Sequence, residues 1–401
     1  MLTRRLLLQT AIGAGALRVA GLPGLALAAA PTENRFVLVV LRGGMDGLFA
    51  VPPWNDPDYA GLRGSLAVAA PDIDGGALDL DGFFGLHPAL KALHPLWRRE
   101  EMAVAHAVAI AERTRSHFDA QDVLENGATR AHESADGWLN RALALIPSDG
   151  RRIGLAVGPA VPAVMRGGTP VASWAPANLP AAGAEFLDRV AVLYGADPVL
   201  GPALAEGRRS EAMSKRTLGN ANDMAAGNLR APNQFKTLAE AGGRLLAARD
   251  GARIAVVEMG GWDTHFAQAN RLSRNLELFA EGIVALKEAL GPAWPRTVVV
   301  AATEFGRTVH ANGSGGTDHG TAGATFLFGG ALAGRRVLGK WPGLGQAALF
   351  ENRDLAPAID MRALFKTVLR DHLAIAPPAL DATVFPGSAA AAPFATRLTR
   401  A

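Results

Sequence analysis

TVVVAATEFGRTVHANGSGGTDHGTAGATFLFGG, residues 297–330, decides the reading of the whole chain. Its Val-rich opening, Thr297 to Ala302, predicts a buried strand, and Glu304 follows almost at once. A second apolar run, Ala324 to Phe328, closes the unit. Between them the segment from Thr303 to Gly323 is long for a connection inside a compact domain, and loops of that length are usually functional or disordered. Its Asp318-His319 pair favours function. In open α/β sheets ligands bind beyond the carboxyl ends of the strands, so acids and imidazoles delivered there are candidates for chemistry.

The same pattern recurs outward from this stretch. Phe36 to Leu41, FVLVVL, predicts a central parallel strand buried on both faces, and it ends in Arg42-Gly43-Gly44-Met45-Asp46. Pro52 to Gly85 reads as surface excursions and Pro88 to Arg99 as a helix with Pro near its start. Met102 to Ile110 is a second central strand. Arg113-Thr114-Arg115-Ser116-His117 then leads into a helix in which Phe118, Val123 and Leu124 hold helical spacing and Gly127 marks the stop. Ser116 falls at the N-cap, where it is either a simple cap or part of an anion site formed by free N–H groups with Arg113 and Arg115. A hydroxyl there becomes a nucleophile if a metal lowers its pKa.

Gly137 to Pro147 predicts a helix, Ile153 to Val157 and Ala160 to Met165 strands, and Gly183 to Arg249 a mainly helical insertion broken near Gly219 to Gly227. Arg253 to Glu258 is a third central strand, followed by Met259-Gly260-Gly261-Trp262-Asp263-Thr264-His265 and a helix from about Ala267 to Leu290. Asp360 to Leu373 predicts an amphipathic helix whose His372 suits a dipole role near its end. His87, His94, His106 and His132 sit in or near apolar segments and read as packing or surface residues, as does Trp262 unless it lines a pocket. His117 and His310 stay open between structural and functional roles.

At 401 residues, 49% of them hydrophobic, the chain buries a large core. It contains no cysteine, which excludes disulfides, thiolate metal sites and a cysteine nucleophile, so a metal here needs oxygen and imidazole. The first 28 residues have a basic start, an apolar middle and an Ala-x-Ala ending at Ala26 and Ala28. Arg4 and Arg5 point to twin-arginine export, with the twin-arginine translocase as partner and a periplasmic or secreted destination. Arg18 interrupts the apolar run and argues against a stable membrane span there, and no later stretch is long and apolar enough for one. Cleavage removes three arginines and no acid, taking the formal charge from +3 to zero. With no Lys-rich stripe bearing aromatics, nucleic acid is not an expected partner. The expected organisation is a signal over 1–28, one α/β domain over 29–385 with the helical insertion around 183–249, and a tail over 386–401.

Carboxylates gathered at one sheet edge repel one another, and divalent cations relieve that best. The donor types suit Zn or Mn first and Mg or Ca next. LRGGMDG (41–47), RSHFDAQDVLENG (115–127), GGWDTH (260–265), TEFGR (303–307) and TDHG (317–320), together with the export signal, resemble an exported bacterial family known only as a domain of unknown function, within the alkaline phosphatase and sulfatase superfamily. The resemblance spans nearly the whole mature chain. It implies an alkaline-phosphatase-like three-layer sandwich, a mostly parallel sheet with helices on both faces, and one or two metals at the strand ends. It further implies Asp46 as the acid after the first strand, Ser116 as nucleophile with Thr114 as substitute, and Asp263 with His265 on the first metal. Asp318 and His319 match the second-metal pair; in an alternative register Glu304 takes that place and His319 is a late lone histidine. The Asp-x-His spacing at 263–265 departs from the superfamily's usual Asp-x-x-x-His.

Sulfatases of that superfamily carry a formylglycine within Cys/Ser-x-Pro-x-Arg; the chain has no cysteine and no Ser-x-Pro-x-Arg, so formylglycine chemistry is not expected. The expected activity is metal-dependent hydrolysis of phosphate or sulfate esters, small or polymeric. Asp46, Asp263, His265, Glu304, Asp318 and His319 are the expected ligands, Ser116 and His117 the catalytic candidates, and Arg115 and Arg307 the anion clamp. The rival expectation is a non-catalytic exported binding or assembly protein that keeps the fold with a degraded site.

Overall fold

The computed structural model describes residues 33–147, 153–176, 183–198, 200–218 and 233–400. The export signal and the breaks near Gly219 to Gly227 lie outside the described residues. The strands are β1 Arg35–Leu41, β2 Leu78–Asp79, β3 Gly85–Leu86, β4 Met102–Ala109, β5 Gly154–Val157, β6 Ala172–Trp174, β7 Ile254–Met259, β8 Thr297–Thr303, β9 Gly323–Phe328, β10 Val337–Leu338 and β11 Ile359–Asp360. Nine of them form one sheet in the order β10-β4-β9-β8-β1-β7-β5-β6, with β11 also on β4, while β2 and β3 pair separately. β1 runs parallel to both β7 and β8, and only β9 is antiparallel to its neighbours β4 and β8. The ends of β1, β4, β7 and β8 therefore share one edge.

Alternation along β1 builds two cores. Phe36, Leu38 and Val40 enter one with Trp138, Leu364 and Phe365, whereas Val37, Val39 and Leu41 enter the other with Phe235, Phe279 and Leu286. A strand buried on both faces has no polar position, which is why FVLVVL is an unbroken apolar run. Truncating Leu38 to Ala would cost about 2–5 kcal/mol through lost transfer energy and a cavity. The helix Gln268–Leu290 buries Leu272, Leu276, Phe279, Ile283, Leu286 and Leu290, a single stripe at 3–4 residue spacing. On the opposite face, the helix Met361–Leu373 starts where the Asp360 carboxylate accepts from Arg362 N at 2.9 Å. The result is the expected α/β class, a mostly parallel sheet between helical layers.

Several local expectations change. The segment 160–165 is not a strand: Ala163–Met165 forms a 3-10 turn, and the edge strand is β6, Ala172–Trp174. Two prolines explain the shift, because Pro159 and Pro162 deny the ladder two N–H donors. The expected helix over 88–99 is a 3-10 turn, Pro88–Leu90, and a short helix, His94–Arg98. His372 is buried and its ring faces the Arg35 carbonyl at 2.8 Å; burial pushes it down to about 4, so it is neutral and has no cationic dipole role. The C-terminal residues lie on the body, with Thr399 bridged to Leu332 and Phe394 N donating to Thr367 Oγ1 at 2.8 Å.

Candidate metal centre

Four loops leave the shared edge and interlock. Gly43, after β1, is at φ +126°, and a Cβ there would lie 2.6 Å from the backbone nitrogen of Asp263. Only glycine lets the β1 and β7 loops touch. From that position Gly43 N donates to Glu304 Oε1 at 2.9 Å. The long loop between β8 and β9 is folded back on itself and on the β7 loop: Thr308 N donates to the Asp318 carbonyl at 3.0 Å and Thr317 N to the Thr264 carbonyl at 3.2 Å. Those ladders explain why this long segment is ordered.

His117, at the start of the helix His117–Asn126, joins His265 and His319 around Asp263. The Nε2 atoms of His117, His265 and His319 stand 3.5, 3.0 and 3.2 Å from Asp263 carboxylate oxygens. His117, Asp263 and His319 each offer an atom within 4.8 Å of the other two. His265 adjoins the last two, its Nε2 3.1 Å from that of His319. The Phe305 ring packs against the rings of His117 and His319 at 4.9 and 4.8 Å.

Each histidine uses its other nitrogen on an oxygen acceptor. His117 Nδ1 donates to Glu304 Oε1 at 2.9 Å, His265 Nδ1 to Asp318 Oδ1 at 3.0 Å, and His319 Nδ1 to the Arg115 carbonyl at 2.8 Å. A neutral imidazole that donates from Nδ1 presents a lone pair at Nε2. The hydrogen-bond network thus aims three lone pairs at one carboxylate. Such groups repel unless a cation or protons lie among them. His117 Nε2 is buried with no hydrogen-bond partner, which is costly for a polar atom unless something binds it. Carboxylates behind imidazoles are the usual outer shell of histidine metal sites, so this donor set fits a divalent cation.

The electrostatics follow from the same contacts. Glu304 is fully buried, which opposes its ionisation, but hydrogen bonds from His117, Gln121 and Thr303 outweigh burial and hold its carboxyl below the usual range. The hydrogen bond that His117 donates to Glu304, against the opposing effect of burial, raises His117, while burial lowers His319. Burial also opposes ionisation of Asp263, yet Arg307 at 2.7 Å keeps it below its ordinary value. The Asp263 side chain is 42% exposed against 0% for Glu304, so the centre opens outward from a buried back wall.

Of the expected ligands, Asp263, His265 and His319 come together; Glu304 and Asp318 stand behind His117 and His265. Asp46 is not in the cluster. It is buried, caps a short helix by accepting from Leu48 N at 3.0 Å, and pairs with the buried Arg63 and with Gln268 Nε2 at 2.7 Å. Arg115 directs its guanidinium at Asp354, 2.9 Å away, and at Glu351. Arg307 spends its own on Asp263 and Thr317. Both expected anion clamps are thus engaged by protein acceptors. Ser116 is the N-cap residue by conformation, but its side chain makes no capping bond. Thr114 and His310 are exposed, and Trp262 is fully buried with Nε1 on the Met259 carbonyl at 2.9 Å, a packing residue.

Sequence reasoning missed Gln121, which donates to Glu304 Oε1 at 2.9 Å, and Asn312, which donates to Asp318 Oδ1 at 3.1 Å and to the His265 carbonyl at 2.9 Å. Gln121 had a signal: it lies four residues after His117 on one helix face. Arg63, the partner of Asp46, had none.

Comparison with solved structures finds distant likenesses. The C-terminal periplasmic domain of EcEptC from Escherichia coli is 11% identical, with 90% of this chain and 89% of that one covered and a TM-score of 0.36. The alkaline phosphatase from the Antarctic bacterium TAB5 is 11% identical, covering 74% and 92%, with a TM-score of 0.36. A putative sulfatase from Bacteroides thetaiotaomicron is 8% identical, covering 76% and 67%, with a TM-score of 0.36. No curated protein matches the chain. A family described as a protein of unknown function, DUF1501, matches residues 105–382, which is more than half of the sequence, and the chain belongs to that family.

Proposed function

We propose that His117, His265, His319 and Asp263 hold a divalent cation, Zn or Mn before Mg or Ca, and that the protein is a metal-dependent hydrolase of phosphate or sulfate esters. The observation that carries this reading is the convergence of three imidazole Nε2 atoms on the Asp263 carboxylate. A divalent cation there supplies Lewis-acid charge stabilisation at phosphorus or sulfur. The chain's own residues do the rest. Glu304 and Asp318 hold His117 and His265 in the tautomer that presents Nε2, and Arg307 fixes the Asp263 rotamer. Ser116, uncommitted as a cap and next to His117 in the chain, is the side-chain nucleophile of this reading. Twin-arginine export to the periplasm or beyond belongs to the same proposal; among the described residues no helix is long and apolar enough to cross a membrane.

The test is elemental analysis of the mature protein together with a panel of phosphomonoester, phosphodiester and sulfate ester substrates. The reading expects stoichiometric divalent metal, turnover of at least one class, and loss of both in His265→Ala and His319→Ala. A protein that takes up no metal on dialysis against Zn or Mn sinks it. A second reading, a non-catalytic exported binding protein, is favoured by one observation: Arg115 and Arg307 already face protein carboxylates. It expects metal without turnover, and a Ser116→Ala strain with an unchanged phenotype.

A further inference from the structure

Six polar residues, Asp46, Arg63, Thr264, Gln268, Arg307 and Thr317, are each at most 1% exposed, and one hydrogen-bonded chain joins them to the metal centre. At the centre, Arg307 Nη1 donates to Asp263 Oδ1 at 2.7 Å while Nε of the same guanidinium donates to Thr317 Oγ1 at 3.2 Å. The Thr317 hydroxyl donates in turn to Gln268 Oε1 at 2.6 Å, and Gln268 Nε2 donates to Asp46 Oδ2 at 2.7 Å. Thr264 Oγ1 donates to the same Gln268 oxygen at 3.0 Å, and Arg63 pairs with Asp46 at the far end. The two ends set the direction of every bond. A guanidinium can only donate, and the Asp46 carboxylate, paired with Arg63, can only accept. Gln268 therefore turns its amide nitrogen to Asp46 and its oxygen to the threonines. Thr317, donating to that oxygen, keeps a lone pair for Arg307 Nε. Bonds that run one way polarise one another, and at this depth water does not compete with them.

We propose that Gln268 and Thr317 are positioning residues of the metal centre, which hold Arg307 so that its Nη1 points only at Asp263 Oδ1 and thereby set the carboxylate among the histidines. The inference rests on the metal reading of the same centre. The guanidinium is a planar, rigid fork, so fixing Nε on the Thr317 hydroxyl and Nη2 on the Thr317 carbonyl fixes Nη1 as well. Asp263 is half-exposed and would otherwise be free to rotate, whereas the groups behind Arg307 are wholly buried. An amide and two hydroxyls are costly to bury unless bonded, and here each is bonded within the chain. The fixed geometry of the interior is thus carried outward to a ligand at the surface.

The test is the Zn affinity of the mature protein, measured by competition with a chromophoric chelator. Thr317→Val keeps the shape of the side chain without its hydroxyl and is expected to weaken Zn binding about fivefold, the contribution of one net hydrogen bond; Thr317→Ser should restore wild-type affinity. Gln268→Met should weaken binding by a similar factor. A loss of this size leaves the metal content of loaded protein unchanged and shows only in the affinity. In an Arg307→Met background Thr317→Val should change nothing further, because its effect passes through the guanidinium. Wild-type affinity in Thr317→Val or in Gln268→Met, or a serine variant as weak as the valine, overturns the relay and leaves the metal reading standing. A valine effect that persists undiminished without Arg307 overturns it too. Should Arg307→Met not fold, the comparison of valine with serine decides. A wild-type protein that binds no Zn overturns both.

Discussion

His265 and His319 bring their Nε2 atoms to 3.1 Å from each other, and both atoms also face Asp263. With Nδ1 of each ring donating elsewhere, this contact joins two lone pairs unless a cation or a proton sits between them. Removing one of them should therefore act on metal binding before it acts on folding. His265→Ala and His319→Ala are expected to lose the metal while keeping the far-UV circular dichroism of the wild type. Wild-type protein should lose thermal stability on chelation and regain it with Zn; at a hundredfold excess over Kd the ion contributes about 2.7 kcal/mol. Chelation that leaves the melting temperature unchanged in wild type would count against the site.

Glu304 and Asp318 both accept an Nδ1 proton, but one is buried and the other is 56% exposed. A hydrogen bond to a charged group is stronger where water cannot compete. Glu304→Gln should weaken metal affinity by about 10–100-fold, and Asp318→Asn by less. Competition with a chromophoric chelator measures both, and a larger effect at Asp318 would contradict the ranking.

Asp46 and Arg63 form a buried pair away from the centre. Asp46→Ala leaves a buried guanidinium without its counter-charge, a change that costs about 3–5 kcal/mol. Urea denaturation should show that loss, whereas metal content should stay at the wild-type level. Metal loss in a folded Asp46 variant would return Asp46 to the ligand set.

His106 and His372 are buried, their Nε2 atoms donating to the Val51 and Arg35 carbonyls, and burial lowers both from 6.5 to about 4. Between those two values the unfolded chain binds protons that the folded chain refuses. Stability is thus complete above about pH 6.5 and drains as the pH falls toward 4, by about 3 kcal/mol for each histidine at the acid limit. His372→Gln, which keeps a donor for the Arg35 carbonyl, should flatten the fall of melting temperature between pH 6.5 and 4 relative to wild type. Parallel curves for the two proteins would refute it.

What the sequence determined on its own is whatever depends on near neighbours in the chain. Unbroken apolar runs such as Phe36 to Leu41 and Thr297 to Ala302 specify strands buried on both faces, because a polar side chain anywhere in them would be desolvated without a partner. Glycine-marked loops after those strands were legible too, since positions such as Gly43 tolerate no Cβ. Together these placed acids and histidines at one sheet edge, and Asp263, His265 and His319 do meet there.

Only the tertiary structure decided how the polar groups divide the work. Asp46 and Asp263 follow their strands in the same way, yet one meets Arg63 and the other three imidazoles, and no local spacing encodes that difference. Glu304 and Asp318 stand behind histidines, and His117 joins from another helix, because ligand geometry is set by loops packed across the sheet edge from distant parts of the chain. A side chain's charge is written in the sequence; which partner neutralises it is settled by the fold.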